Sequence, residues 1–197
     1  MAGPTLPTLQ AVVIGASAGG IEALLRLLPA LPATCACPIV TVLHLPEGHT
    51  SLLPEVFAPR VALAVKEADE KEVLQPGTLY FAPPGYHLLI ESDRTFALSI
   101  DAPVHYSRPS IDVLFQSAAT VYGGSLAAVL LTGANEDGAT GLARVVECGG
   151  RVLIQDPDEA QIAVMPKAGI RATGSAARVL PLAALAGTLT RWVEGEA

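Results

Sequence analysis

Three residue types suited to acyl transfer stand at the ends of apolar runs in this chain: Ser17, His44 and Asp137. A serine hydroxyl is a weak nucleophile until a base takes its proton. An imidazole titrates near neutrality and can be that base. A buried carboxylate can fix the imidazole tautomer and stabilise the imidazolium. Ser17 lies in Gly15-Ala16-Ser17-Ala18-Gly19-Gly20, a G-x-S-x-G pattern between an apolar run and an amphipathic stretch. Such a turn sets a serine on a sharp strand-to-helix corner, and the helix N-terminus behind it offers N–H groups to a developing oxyanion. The hexapeptide alone supports two other readings. It could open a dinucleotide-binding unit, or its small residues could simply let a helix pack closely on a strand.

The elements that must position these residues follow from apolar runs and periodicity. Residues 11–14 read as a strand and 20–28 as a helix, stopped by Pro29 and Pro32. The continuous apolar run 38–43 reads as a buried parallel strand ending at His44. This is a βαβ unit. In open α/β sheets ligands bind beyond the carboxyl ends of the strands, so Ser17 and His44 share one rim. A second buried strand, 126–131, runs into a glycine-bearing loop with Asp137, ahead of a helix over 139–148. Asp137 could equally cap that helix, and His44 could be a half-buried strand-end histidine. A helix is expected over 51–58. Short strands at 61–66, 78–81, 86–90 and 96–100, separated by turn residues, read as an antiparallel edge insertion. A helix capped by Ser110 runs to about 122, and a strand covers 151–155. Residues 156–176 read as loop with one helical turn at 165–168, before a strand at 177–180 and a helix over 182–193. The expected fold is α/β: a doubly wound, mostly parallel sheet with helices on both faces. One domain spans 11–193, with a leader at 1–10 and a tail at 194–197.

Composition narrows the function classes. The chain has 197 residues, 51% hydrophobic and 16% charged, the balance of a compact globular domain. Its net charge of −7 and lack of a Lys/Arg cluster argue against nucleic-acid binding. No apolar run approaches the ~20 residues of a membrane span, so no membrane insertion is expected. Cys35, Cys37 and Cys148 are too few and too odd for a disulfide framework, and fit a reducing cytoplasm. Cys35-x-Cys37 lacks the spacing of a zinc or redox pair, so no metal or other cofactor is expected. His49, His87 and His105 read as solvated; Glu47, Asp101 and Asp112 read as surface or first-turn charges. The dinucleotide reading weakens, because His44 stands where an acid should meet the ribose, although Glu47 is near. A short-chain dehydrogenase would need Lys four residues after Tyr. Pro84, Ile90, Ser110 and Leu126 stand four after Tyr80, Tyr86, Tyr106 and Tyr122. An ordinary α/β-hydrolase places its histidine last, whereas the last histidine here is His105, in mid-chain.

Five blocks carry a resemblance. They are the Gly15–Gly20 turn, Leu43-His44-Leu45-Pro46, Pro76-Gly77-Thr78-Leu79-Tyr80-Phe81-Ala82-Pro83, Arg108-Pro109-Ser110-Ile111-Asp112-Val113-Leu114-Phe115, and Thr132-Gly133 through Asp137-Gly138-Ala139. In order and spacing they resemble the catalytic domain of the bacterial chemotaxis protein-glutamate methylesterases, from about residue 11 to 193. The resemblance implies hydrolysis of γ-glutamyl methyl esters on the cytoplasmic helices of chemoreceptors, with glutamine deamidation in some members. It implies Ser17 as nucleophile, His44 as base and Asp137 as orienting acid, with oxyanion donors at the N–H groups of Ala18 and Ala134. Three departures stand out. Ala18 replaces the usual threonine, Ala134-Asn135 replaces the usual Met-Gly, and no receiver domain precedes the catalytic region in this chain. A separate or fused signalling domain is therefore a candidate partner. Arg108 is a candidate contact for the receptor, and a non-catalytic docking or scaffold module with the same fold is the alternative.

Overall fold

The computed structural model describes residues 7–45 and 51–195. Its elements are β1 (Ala11–Ala16), α1 (Gly20–Leu27), β2 (Ile39–Leu43), α2 (Leu53–Phe57), β3 (Ala64–Glu67), β4 (Thr78–Phe81), β5 (His87–Ile90), β6 (Phe96–Ser99), α3 (Ile111–Tyr122), β7 (Leu126–Leu130), α4 (Ala139–Glu147), β8 (Arg151–Gln155), α5 (Val164–Thr173), β9 (Ala177–Leu180) and α6 (Leu182–Val193).

Seven strands form one sheet in the order β3-β4-β2-β1-β7-β8-β9, and every pairing in it is parallel. β1, β2 and β7 are buried along their whole length. That explains their unbroken apolar sequences, since helices cover both faces of the sheet. Side chains along β1 alternate between two cores. Val12 and Ile14 join a cluster with Leu24 and Leu27 of α1 and Leu189 and Trp192 of α6. Ala11 and Val13 join the opposite cluster, with Phe115 of α3 and Leu142 of α4. The chain leaves β1 for β2 on one side and reaches β7 on the other. The order reverses at β1, and a ligand crevice is expected there.

The doubly wound sheet and the antiparallel piece both match expectation, but the antiparallel piece is smaller. Among the strands of the described residues only β5 and β6 pair antiparallel, with His87 opposite Ser99. β3 and β4 extend the parallel sheet instead, because α2 and the 68–77 loop give them crossovers that short turns would not. The loop-rich expectation for 156–176 is also corrected: α5 is a ten-residue helix. Two residues that look like breakers cause the error. Pro166 sits in the first turn, where its missing N–H costs nothing. Gly169 is a close-packing site: a Cβ there would lie 2.9 Å from Leu130 and 3.0 Å from Leu142. Most of the leader, residues 1–6, and residues 196–197 of the tail lie outside the described residues. Residues 7–10 are tied down, with Leu9 buried, the Gln10 N–H bonded to Ser125 O at 2.9 Å and Arg151 Nη2 donating to Pro7 O at 2.6 Å.

Candidate active site

The three expected residues meet at the reversal of the sheet. Ala16 and Leu43 are register partners in β1 and β2, so Ser17 and His44 are the next residues out on adjacent strands. The His44 N–H bonds to Ala16 O at 3.1 Å, and the Ser17 N–H to Thr132 O, just past β7, at 3.0 Å. The Ala16–Ser17 corner is therefore held by the ends of both neighbouring strands. Ser17, Ala18 and His44 line one cavity of about 480 Å³, together with Ile21, Leu25 and Gln161. The turn needs its glycines. Gly19 has φ +80°, and a Cβ on Gly20 would sit 2.6 Å from Leu43.

Asp137 lies behind His44, with no exposed surface. His44 Nε2 is 2.9 Å from Asp137 Oδ2. An ionised carboxylate only accepts, so Nε2 carries the proton and Nδ1 is left as the acceptor. In the triad best known from serine proteases the carboxylate takes Nδ1; here the ring is used the other way round. Ser107 Oγ lies 3.3 Å from His44 Nδ1. Ser17 Oγ has no hydrogen-bond partner among the described residues.

Asp137 does not cap the helix that follows it. Gly138 occupies that position, without a side-chain cap. The carboxylate instead receives the N-terminus of α3: the Ile111 N–H at 2.7 Å, the Asp112 N–H at 2.9 Å and the Ser110 hydroxyl at 2.8 Å. Ser110 is thus spent on Asp137 and caps nothing. Burial alone would push the Asp137 carboxyl up, but the bonds from His44 and the α3 amides outweigh it and hold the group below its ordinary value. The positive end of the α3 dipole acts in the same direction.

Several residues escaped the sequence reading. Asp112 does stand in the first turn of α3, but it is buried rather than at the surface. Its Oδ1 accepts the Gly141 N–H of α4 at 2.6 Å, and its Oδ2 lies 3.5 Å from His105 Nε2. Burial pushes its carboxyl up; the Gly141 bond opposes that and the charge of Asp137 adds to it. His87 is buried too. The Ser110 N–H donates to its Nδ1 at 3.1 Å, so its Nε2–H is the donor to Ala102 O at 3.1 Å. Thr132 clasps two loops, with Oγ1 lying 2.9 Å from Ala18 O and accepting the Ile162 N–H at 2.9 Å. These partners are far apart in sequence, and no local pattern announces them.

The remaining candidates fall out as follows. Ala18 lines the cavity, whereas Ala134 is exposed on the loop after β7 and is not part of that lining. Neither N–H is engaged among the described residues, as oxyanion donors should be. Asn135 Oδ1 accepts the Asp137 N–H at 3.2 Å and shapes the acid loop. The Arg108 guanidinium donates to Ile100 O at 2.9 Å and to Asp101 O at 3.1 Å, so it anchors its own loop. His105 is partly exposed, with 41% of its side-chain surface accessible. Glu47 and His49 lie outside the described residues. Cys35 and Cys37 are buried free thiols of the core, 3.9 Å apart. His105, Asp112 and Asp137 bring ligand atoms within 4.8 Å of one another. The oxygens of both aspartates already take N–H and O–H donors, which suits a hydrogen-bonded cluster better than a cation.

A serine that shares a cavity with an imidazole, the imidazole braced by a buried carboxylate, at the carboxyl ends of parallel strands, has the parts of a serine-type hydrolase. Comparison with known proteins is more specific. The family model described as CheB methylesterase matches residues 12–189, and the chain belongs to that family. A putative protein-glutamate methylesterase/protein-glutamine glutaminase of Leptospira interrogans is 49% identical over 83% of this chain and 85% of its own length. A protein-glutamate methylesterase/protein-glutamine glutaminase of Carboxydothermus hydrogenoformans is 42% identical over 90% of this chain but only 53% of its own length. The crystal structure of the Thermotoga maritima CheB methylesterase catalytic domain superposes with a TM-score of 0.87 at 33% identity, covering 95% of this chain and 99% of that one. The chain thus spans most of the Leptospira relative and about half of the longer one.

Proposed function

We propose that this chain is a cytoplasmic protein-glutamate methylesterase that acts on methylated helices of chemoreceptors through Ser17, His44 and Asp137. Ser17 Oγ attacks the γ-ester carbonyl while His44 Nδ1, let go by Ser107 Oγ, takes its proton. The new imidazolium is stabilised by Asp137 across the Nε2 bond. The tetrahedral oxyanion forms against the N–H groups of Ala18 and Ala134. His44 returns its proton to the leaving methoxide, and methanol departs. Water, activated by the same nitrogen, then cleaves the acyl-serine to the free carboxylate and restores Ser17. With a glutamine side chain the leaving group is ammonia, and the same steps give deamidation.

The observation that carries the reading is the 2.9 Å His44–Asp137 pair, made with a carboxylate that has no exposed surface. A half-buried strand-end histidine would need no such partner, and a cap of α4 would not take the amides of α3. The names of the two relatives support the substrate class. The test is methanol release from methylated receptor membranes, with Ser17→Ala as the control. Release abolished in a folded Ser17→Ala protein supports the reading. A wild-type protein that binds the membranes and releases no methanol is a docking module instead.

A further inference from the structure

The turn next to His44 carries a residue that neither the fold nor the proposed chemistry uses. Val104 and Ser107 exchange both backbone bonds, at 3.2 and 2.9 Å. His105 and Tyr106 form the two-residue turn between them, with φ +49° and +60°. Two positive φ values in succession are the type I′ pattern, whose unstrained occupants are asparagine and glycine. Histidine tolerates that region; a bulky aromatic there is an outlier and costs conformational energy.

Three contacts fasten the turn to the site. His105 Nε2 lies 3.5 Å from Asp112 Oδ2. Asn135 Nδ2 donates to His105 O at 3.4 Å. Ser107 Oγ lies 3.3 Å from His44 Nδ1; Arg108 holds the preceding loop through Ile100 O and Asp101 O. Tyr106, at the tip, is 101% exposed. Tyr106 thus holds a disfavoured backbone φ while its ring buries nothing.

We propose that Tyr106 is the contact by which the protein substrate is recognised, packing on the receptor helix beside the ester that enters at Ser17. The inference rests on the substrate class argued above. A helix rich in glutamate, its methyl ester and glutamine offers methylene stems for the ring face and carboxylates for the phenol O–H. A neutral aromatic donor suits that surface, because a chain of net charge −7 gains nothing from long-range attraction to acidic helices. Tyrosine also carries much contact area on few rotatable bonds, and a turn fixed beforehand keeps the ordering cost low. The contact adds to the reaction a means of choosing helical over free esters.

The experiment measures binding, so it does not depend on turnover. A methylated receptor fragment is titrated into Ser17→Ala protein, and into the same protein carrying Tyr106→Asn or Tyr106→Phe. Asparagine accepts the turn geometry without the ring, so folding is preserved. The expected result is at least fivefold weaker binding for Tyr106→Asn, with Tyr106→Phe between it and the parent, because phenylalanine keeps the ring face and loses the O–H. A smaller change for Tyr106→Asn, or a parent that does not bind the fragment, overturns the inference. Methanol release judges the esterase reading separately. Tyr106-dependent binding without release would keep this contact and discard that chemistry.

Discussion

Asp137 and Asp112 occupy near-mirror positions and come to opposite ends. Asp137 precedes α4 but receives the N-terminal amides of α3. Asp112 begins α3 but receives an N-terminal amide of α4. Each is buried, and each helix is capped by an acid from the other. Burial pushes both carboxyls up, yet Asp137 ends low and Asp112 ends high. The difference lies in partners. Asp137 takes a histidine, a hydroxyl and two amides, whereas Asp112 takes fewer donors and faces a neighbouring negative charge. Burial alone therefore does not make a carboxylate acidic or basic. The count of donors decides, and the carboxylate with the better set is the one braced against His44.

Mutating the two residues in the same way breaks the comparison first on rate. Asp137→Asn is expected to lower kcat by about 10²–10⁴, because the amide can leave His44 in the wrong tautomer. Asp112→Asn should stay within about tenfold of wild type, as Asp112 touches neither His44 nor the cavity lining. Steady-state kcat on a methyl ester compares them, and an equal loss in both variants erases the distinction.

Stability gives the next largest separation. Asp137→Ala strips partners from two amides, a hydroxyl and an imidazole, and should cost about 3–5 kcal/mol in urea unfolding. Asp112→Asn keeps an acceptor for Gly141 and removes a charge that the fold disfavours. It should be neutral or stabilising at pH 7, by up to about 1 kcal/mol.

The smallest effect is in pH dependence, and its sign differs between the two. Asp137, with a lowered folded pKa, contributes stability in full above the unfolded carboxyl value of about 3.9. That contribution is lost as pH falls through the depressed value. Asp112, with a raised folded pKa, carries a penalty that is absent below the unfolded value and grows as pH rises from there through the raised folded value. The advantage of Asp112→Asn at pH 7 should therefore vanish on acidification below about pH 4, and the deficit of Asp137→Asn should shrink further down. Melting temperatures of the three proteins from pH 3 to 7 test both slopes.

Much of this was legible in the sequence where the signal is local. Unbroken apolar runs marked β1, β2 and β7, and the loops after them placed Ser17, His44 and Asp137 on one rim. What stayed hidden depends on partners distant in sequence. Asp112 reads as a first-turn charge because its acceptor role lies with Gly141, and His87 reads as solvated because its donor is Ser110. α5 was disguised by Pro166 and Gly169, whose meaning depends on the helix turn and on Leu130 and Leu142. β3 and β4 were assigned to the antiparallel piece because a short strand with turn residues looks alike in either orientation. His44 could be placed from sequence, but which of its nitrogens faces Asp137 could not.

The crossed capping also bears on how the molecule breathes. First-turn amides of a helix usually fray early and trade their hydrogens with solvent within the local opening regime. Here the Ile111 and Asp112 amides end on Asp137, and the Gly141 amide on Asp112. None of the three can open unless α3 and α4 separate, and that separation also takes the carboxylate away from His44. Deuterium uptake at these amides should thus be as slow as in the central strands, and the site should be lost in one cooperative step with the packing of the two helices.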